Sequence, residues 1–144
     1  MTRVHGSCVV IGEKAVLLRG PSGSGKSDLA LRLIDDGARL VADDQTELTV
    51  LGGRLWAAPP ATIAGMIEVR GLGILRLEHV ERAELVLAVD LKPGGEIERL
   101  PAPQSVEWLG VDLPLVALDP FHPSAAAKLR LAMRVATRDI IVQT

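Results

Sequence analysis

The chain has 144 residues, 48% hydrophobic and 24% charged, which suits a single globular domain over residues 1–144 with a core of its own and excludes a disordered polymer. Its net charge is −2 and its aromatics are Trp56, Trp108 and Phe121 alone; the basic surplus that neutralises duplex phosphates and the stacking platforms that hold single strands are both missing, so nucleic acid is not the expected partner. Cys8 is the one cysteine, which leaves no internal disulfide and no cysteine-rich metal site, while MTRVHGSCVV lacks a signal-peptide core and no apolar run nears the ~18 residues of a membrane span, so a cytoplasmic protein is expected.

Val4 to Ile11 and Lys14 to Leu18 are rich in Val, Leu and Ile and read as strands either side of Gly12-Glu13. Gly20 to Gly25 is a loop. From Lys26 onward, Leu29, Leu31, Leu33 and Ile34 recur with helical spacing, and Asp35-Asp36-Gly37 supplies a glycine stop. Leu40 to Ala42 is a short apolar strand. Glu47 to Leu51 and Arg54 to Ala57 flank Gly52-Gly53 as a hairpin, and Pro59-Pro60 breaks the chain. Ile67 to Leu77 mixes strand residues with glycines, and Leu85 to Leu91 (LVLAVDL) has the pattern of a buried strand. After the turn at Pro93-Gly94-Gly95, short strands are expected at Ile97 to Leu100 and Val106 to Leu109, then over Val111 to Leu118 with an interruption at Pro114. Asp119 to Pro123 is a loop, and Ser124 is placed to cap a helix over Ala125 to Val135. Many short strands with two good helices predict an α/β domain with a mixed sheet, without the regular strand–helix alternation of a doubly wound fold.

The stretch Gly20-Pro21-Ser22-Gly23-Ser24-Gly25-Lys26-Ser27 matches G-x-x-x-x-G-K-[ST] in full, after a strand and before a helix. The glycines let the backbone turn tightly enough for several N–H groups to face one anion, and the helix adds its positive end. Lys26 supplies a point charge for β- and γ-phosphates, and Ser27 a hydroxyl ligand for Mg2+. ATP with Mg2+ is the expected substrate pair.

Asp43 and Asp44 close the strand Leu40 to Ala42. A solvated loop pair is the plain reading. If that strand neighbours the one feeding the phosphate loop, both end at the same sheet edge, and Asp44 lies near the γ-phosphate, where it can hold Mg2+ through water or take a proton from an attacking hydroxyl. Asp90, at the end of LVLAVD, competes for the place of the second acid of an ordinary P-loop protein.

Three segments in order, VHG at Val4 to Gly6 with GPSGSGKSDLALRLIDDG, RLVADD at Arg39 to Asp44, and IEVRGLGIL at Ile67 to Leu75, resemble the catalytic domain of HPr kinase/phosphorylase. IERL at Ile97 to Leu100 is a weaker anchor. The resemblance implies a bacterial serine kinase acting on HPr, the phosphocarrier of the sugar phosphotransferase system, with phosphorolysis of seryl-phosphate as the reverse reaction. It implies His5 as the catalytic histidine, Lys26 and Ser27 as phosphate lysine and Mg2+ ligand, and Asp44 as the acid/base with Asp43 its neighbour at the metal. Glu68 is implied as a second Mg2+ ligand, with Arg70 beside it, and Arg99 as a catalytic arginine. The implied fold is a phosphoenolpyruvate-carboxykinase-like P-loop domain with a mixed, largely antiparallel sheet, and the implied assembly a hexamer.

Longer members carry an N-terminal domain ahead of these segments, and the resemblance leads to the expectation of the short form found in some proteobacteria. LDPFHPSAAAKLR also stands where the long form has a basic Pro-Gly loop tied to the reverse reaction. Two other classes are distinguishable: a small-molecule P-loop kinase, which usually carries an arginine-rich lid, and a regulator that binds ATP without transferring its phosphate.

Overall fold

The computed structural model describes residues 1–143. In chain order these form β1 (Thr2–His5), β2 (Ser7–Ile11), β3 (Lys14–Arg19), α1 (Lys26–Asp35), β4 (Arg39–Ala42), β5 (Gln45–Leu51), β6 (Arg54–Ala58), β7 (Met66–Val69), β8 (Gly73–Arg76), β9 (Ala83–Leu91), β10 (Gln104–Trp108), β11 (Val111–Leu118) and α2 (Ala125–Ala136). The expected α/β class with a mixed, largely antiparallel sheet is what the chain adopts. One sheet runs β1-β5-β6-β9-β3-β2-β4, with β11 pairing β9 and β10 pairing β11, and β7–β8 is a separate hairpin. The parallel pairs of the large sheet are β3 with β9 and β9 with β11.

Alternation along the strands gives each face of the sheet its own core. Val9, Val16 and Leu18 face α1 and α2, packing on Leu29, Leu33, Leu129 and Met133. Cys8, Val10, Ala15 and Leu17 point the other way, toward Leu48, Leu55 and Leu85. In β9 the odd-numbered Leu85 belongs to the second core and the odd-numbered Leu87 and Val89 to the first. A bulge causes this: Ala15 pairs with Leu85 but Val16 with Leu87, so Val86 is the extra residue and the alternation flips there.

Several expectations are corrected. Val4 to Ile11 is not one strand; it breaks at Gly6, where a Cβ would fall 2.8 Å from the Leu18 carbonyl oxygen and 2.9 Å from Leu17 Cδ1. β1 then leaves to pair with β5 while β2 pairs with β3 and β4. Ile97 to Leu100 is not a strand: a short 3-10 turn covers Gly94–Glu96 and irregular chain follows to β10, prolines 93, 101 and 103 having no ladder donor to offer. Pro114 does not interrupt β11, where it pairs across to Ser105 at the outer side of the sheet. Ser124 does precede α2, but its hydroxyl meets His122 Nδ1 at 2.7 Å and caps no helix N–H.

β3 and β4 are not neighbours, because β2 lies between them. Since β2 is antiparallel to both, β3 and β4 still point the same way. With the parallel pairings of β9 and β11, the carboxyl ends of β4, β3, β9 and β11 all meet at one edge. Ligands in open α/β sheets bind at such an edge.

Candidate active site

β3 delivers its last residue, Arg19, directly into the phosphate loop. Gly23 and Gly25 hold φ of 82° and 99°, a region that favours glycine, and Ser24 N–H donates to the Pro21 carbonyl at 3.0 Å to close the turn. Lys26 is buried; its ammonium donates to the Gly20 and Pro21 carbonyls at 2.7 and 3.1 Å, which holds its charge at the centre of the loop. Ser24 Oγ is buried with no hydrogen-bond partner among the described residues. A buried hydroxyl without a partner, set among loop amides at a helix N-terminus, suits an anion whose oxygens complete the set.

The paired aspartates take different positions. Asp43 is 8% exposed. Its Oδ1 accepts from Ser7 Oγ at 2.8 Å and Ser27 Oγ at 2.7 Å, and its Oδ2 from the Glu68 N–H at 3.1 Å. Three segments, β2, α1 and β7, thus converge on one carboxylate. Asp44 is turned out of the sheet. Gln45 N–H donates to the Asp43 carbonyl at 2.8 Å across Asp44, whose φ is 69°; this is a tight three-residue turn of a strained kind that aspartate tolerates better than most residues. The Asp44 backbone is held on both sides, its N–H by Ser7 Oγ at 3.1 Å and its carbonyl by Gly6 N–H at 2.8 Å. Its carboxylate stays largely exposed and meets His5 Nε2 at 2.8 Å.

A cleft of about 820 Å³ joins these parts. The loop and the start of α1 form one wall, Asp43 and Asp44 another, and the β7–β8 hairpin, from Glu68 to Ile74, a third; Phe121 stands at the rim. Glu68 and Arg70 both line it, but they do not share a strand face, since β7 ends at Val69 and Arg70 lies in the turn. Arg99 is exposed in the irregular segment before β10 and does not line the cleft. Asp90 is occupied elsewhere: Arg19 grips it in a fork, Nε at 2.8 Å and a terminal nitrogen at 3.1 Å. Asp43, not Asp90 or Asp44, is the carboxylate that touches the loop serine directly.

Ser7 is a member of the site that pattern reading does not single out. Its hydroxyl donates to Asp43 and accepts from Asp44, using both capacities. The available signal is a polar residue opening an otherwise apolar strand, directly after His5-Gly6.

The donor set also suits Mg2+. Among the described residues no three His, Cys, Asp or Glu side chains cluster as a metal cage. Ser27 Oγ and the Asp43 carboxylate supply two oxygens 2.7 Å apart, and Mg2+ typically takes one or two protein oxygens and fills the rest with phosphate and water.

Residues 1–119 match the family model described as HPr Serine kinase C-terminal domain. The chain is 40% identical over 114 residues to the HPr kinase/phosphorylase of Clostridium tetani (strain Massachusetts / E88), covering 77% of this chain and 37% of that protein. It is 36% identical over 155 aligned residues to the HPr kinase/phosphorylase of Burkholderia lata, covering 97% of this chain and 46% of that one. The chain thus spans less than half the length of these relatives. The solved structure of the Hpr(Ser) kinase/phosphatase from Coxiella burnetii superposes with a TM-score of 0.80 at 26% identity, over 96% of this chain and 95% of that one. No described helix is long and apolar enough to cross a membrane. A phosphate loop, a carboxylate bound to its serine, and a second aspartate on a neighbouring histidine accord with these matches: the chain belongs to the HPr serine kinase C-terminal domain family.

Proposed function

We propose that the chain is an ATP- and Mg2+-dependent protein serine kinase domain whose acceptor is the phosphocarrier HPr, with phosphorolysis of the seryl-phosphate as the reverse step. One observation carries this reading: Asp43 is bonded to the loop's Ser27 at 2.7 Å while the adjacent Asp44 turns its carboxylate outward into the same cleft. One carboxylate is thereby committed to the loop and the other is free to face an incoming hydroxyl. The names of the relatives support the choice of HPr.

The loop amides and Lys26 offset charge on the β- and γ-phosphates during transfer. Ser27 and Asp43 would hold Mg2+, with Glu68 lining the same cleft, and the bound ion would neutralise charge on the phosphate oxygens. Asp44 accepts the proton of the acceptor serine as the oxygen attacks in line, and in reverse returns it to the leaving serine. His5 steadies Asp44: with the carboxylate ionised, Nε2–H donates to Oδ1 and fixes its direction. Arg99 serves catalysis only if the 92–103 segment closes over the cleft or a second copy presents it. The hexamer implied by the resemblance would supply that second copy.

The test is to incubate the protein with ATP, Mg2+ and HPr and to look for phosphoserine on HPr by mass spectrometry. Phosphoserine formation that disappears with Asp44→Asn is expected, and its absence from HPr with the unmutated protein overturns the reading. Adding inorganic phosphate to the purified product then measures the reverse step.

A further inference from the structure

We propose that Phe121 is the platform on which the purine ring of ATP stacks. The proposal rests on the nucleotide-binding reading of the same cleft and adds the residue that recognises the base.

The argument starts from topology. The carboxyl ends of β4, β2's neighbour β3, β9 and β11 share one edge of the sheet. The phosphate loop leaves β3 near the middle of that edge. Asp43 and Asp44 follow β4, two strands to one side. Phe121 follows β11, two strands to the other side. The acids and Phe121 therefore lie on opposite flanks of the loop. A triphosphate whose γ end meets Asp43 and Ser27 must run its α-phosphate, sugar and base away from the acids. Phe121 stands on that far flank and lines the same cleft.

Phe121 is also presented with unusual care for an exposed side chain. It is 70% exposed, yet its backbone is pinned. Asp119 Oδ1 accepts from the Phe121 N–H at 3.0 Å, and the Asp119 carbonyl from the His122 N–H at 3.2 Å. The Arg32 guanidinium, reaching over from α1, donates to the Pro120 carbonyl. The ring edge meets the loop itself: a Cβ on Gly25 would lie 3.2 Å from Phe121 Cζ. Leu31, one helical turn beyond Ser27, adds apolar surface to the cleft.

Single exposed apolar residues are ordinary and need no role. Phe121 differs from the chain's other aromatics. Trp108 is covered by Arg19 and Trp56 by Arg82, at 5.4 and 4.7 Å from the ring centres. Phe121 has no cation over its ring among the described residues and is largely exposed. A base stacked on an aromatic face gains enough to change affinity by about five- to a hundredfold.

The test compares dissociation constants for MgATP and for magnesium tripolyphosphate, which carries the phosphates without a base, by isothermal titration calorimetry. The unmutated protein should bind MgATP at least about tenfold more tightly than tripolyphosphate. Phe121→Ala should remove most of that advantage and leave tripolyphosphate binding unchanged, while Phe121→Trp should preserve it. If Phe121→Ala weakens both ligands alike or neither, the stacking proposal fails while nucleotide binding stands. If Phe121→Ala spares MgATP affinity and raises the KM for HPr, the ring serves the protein acceptor and the proposal is wrong. If the unmutated protein binds neither ligand, the nucleotide reading falls and takes this proposal with it.

Discussion

His5 Nε2 lies 2.8 Å from Asp44 Oδ1, across a backbone link in which Gly6 N–H donates to the Asp44 carbonyl at 2.8 Å. Histidine and aspartate come from positions 39 residues apart and are locked in register by the β1–β5 pairing, which sets His5 opposite Gln45. Asp44→Asn removes the proposed proton acceptor but keeps the shape. HPr phosphorylation should fall by about 10²- to 10⁴-fold, with MgATP affinity within a few-fold of normal. His5→Ala should cost less, around tenfold, and the double variant should be no slower than Asp44→Asn alone, because the histidine acts through the carboxylate. Steady-state rates with saturating ATP check all three.

Asp43 gives a different signature. Its two oxygens accept from two hydroxyls and an amide. An asparagine there must present its NH2 either to the Glu68 N–H, donor against donor, or to the two serines. Asp43→Asn should therefore disturb the junction and raise the Mg2+ concentration needed for half-maximal activity by about tenfold or more, an effect of the size seen when metal-site partners are lost. A Mg2+ titration of the rate, set beside the same titration for Asp44→Asn, separates the two acids.

Asp90 should behave as a structural residue. Its fork with Arg19 is part-buried, and Arg19 in turn lies under Trp108. Asp90→Asn should lower stability by about 1 kcal/mol, or Tm by roughly 3–5 °C, and leave phosphoryl transfer within a few-fold of normal. A loss of transfer as large as that of Asp44→Asn would show that Asp90, not Asp43, completes the site.

Gly6 and Cys8 flank Ser7 and make the two sides of the fold testable. A Cβ on Gly6 meets the Leu18 backbone oxygen as well as the Leu17 side chain, so Gly6→Ala should destabilise by about 1–3 kcal/mol and shift His5 away from Asp44. Thermal melting and the transfer rate should fall together. Burial pushes the Cys8 thiol well above its ordinary pKa, so the reactive thiolate is suppressed across the usual pH range. Alkylation by iodoacetamide should be negligible in the folded protein and rapid in urea, as followed by intact mass.

The phosphate loop, the helix after it and the α/β class were legible because their signals are local: glycine spacing, helical periodicity and turn dipeptides. The break at Gly6 was hidden, since it arises from the close approach of a strand that follows later in the chain. The strand expected at Ile97 to Leu100 has apolar residues but no partner strand. The different placements of Asp43 and Asp44 were beyond local pattern for a similar reason; only the resemblance gave the two residues separate roles. Two adjacent residues of identical chemistry differ only by a turn at φ 69°, and Ser7, which fixes that turn, carries no motif. The bulge at Val86 sits in a run of apolar residues that reads the same on either face.

Asp43 joins β2, α1 and the β7–β8 hairpin through one side chain. β2 and α1 already share one apolar core through Val9, Leu29 and Leu33, and the carboxylate adds a polar link between them and the hairpin. Ser27, the amide of Glu68 and the hydroxyl of Ser7 therefore share one acceptor group. Through Ser7 the same chain of hydrogen bonds continues to the backbone N–H of Asp44, so one connected set of contacts links the phosphate loop to both aspartates.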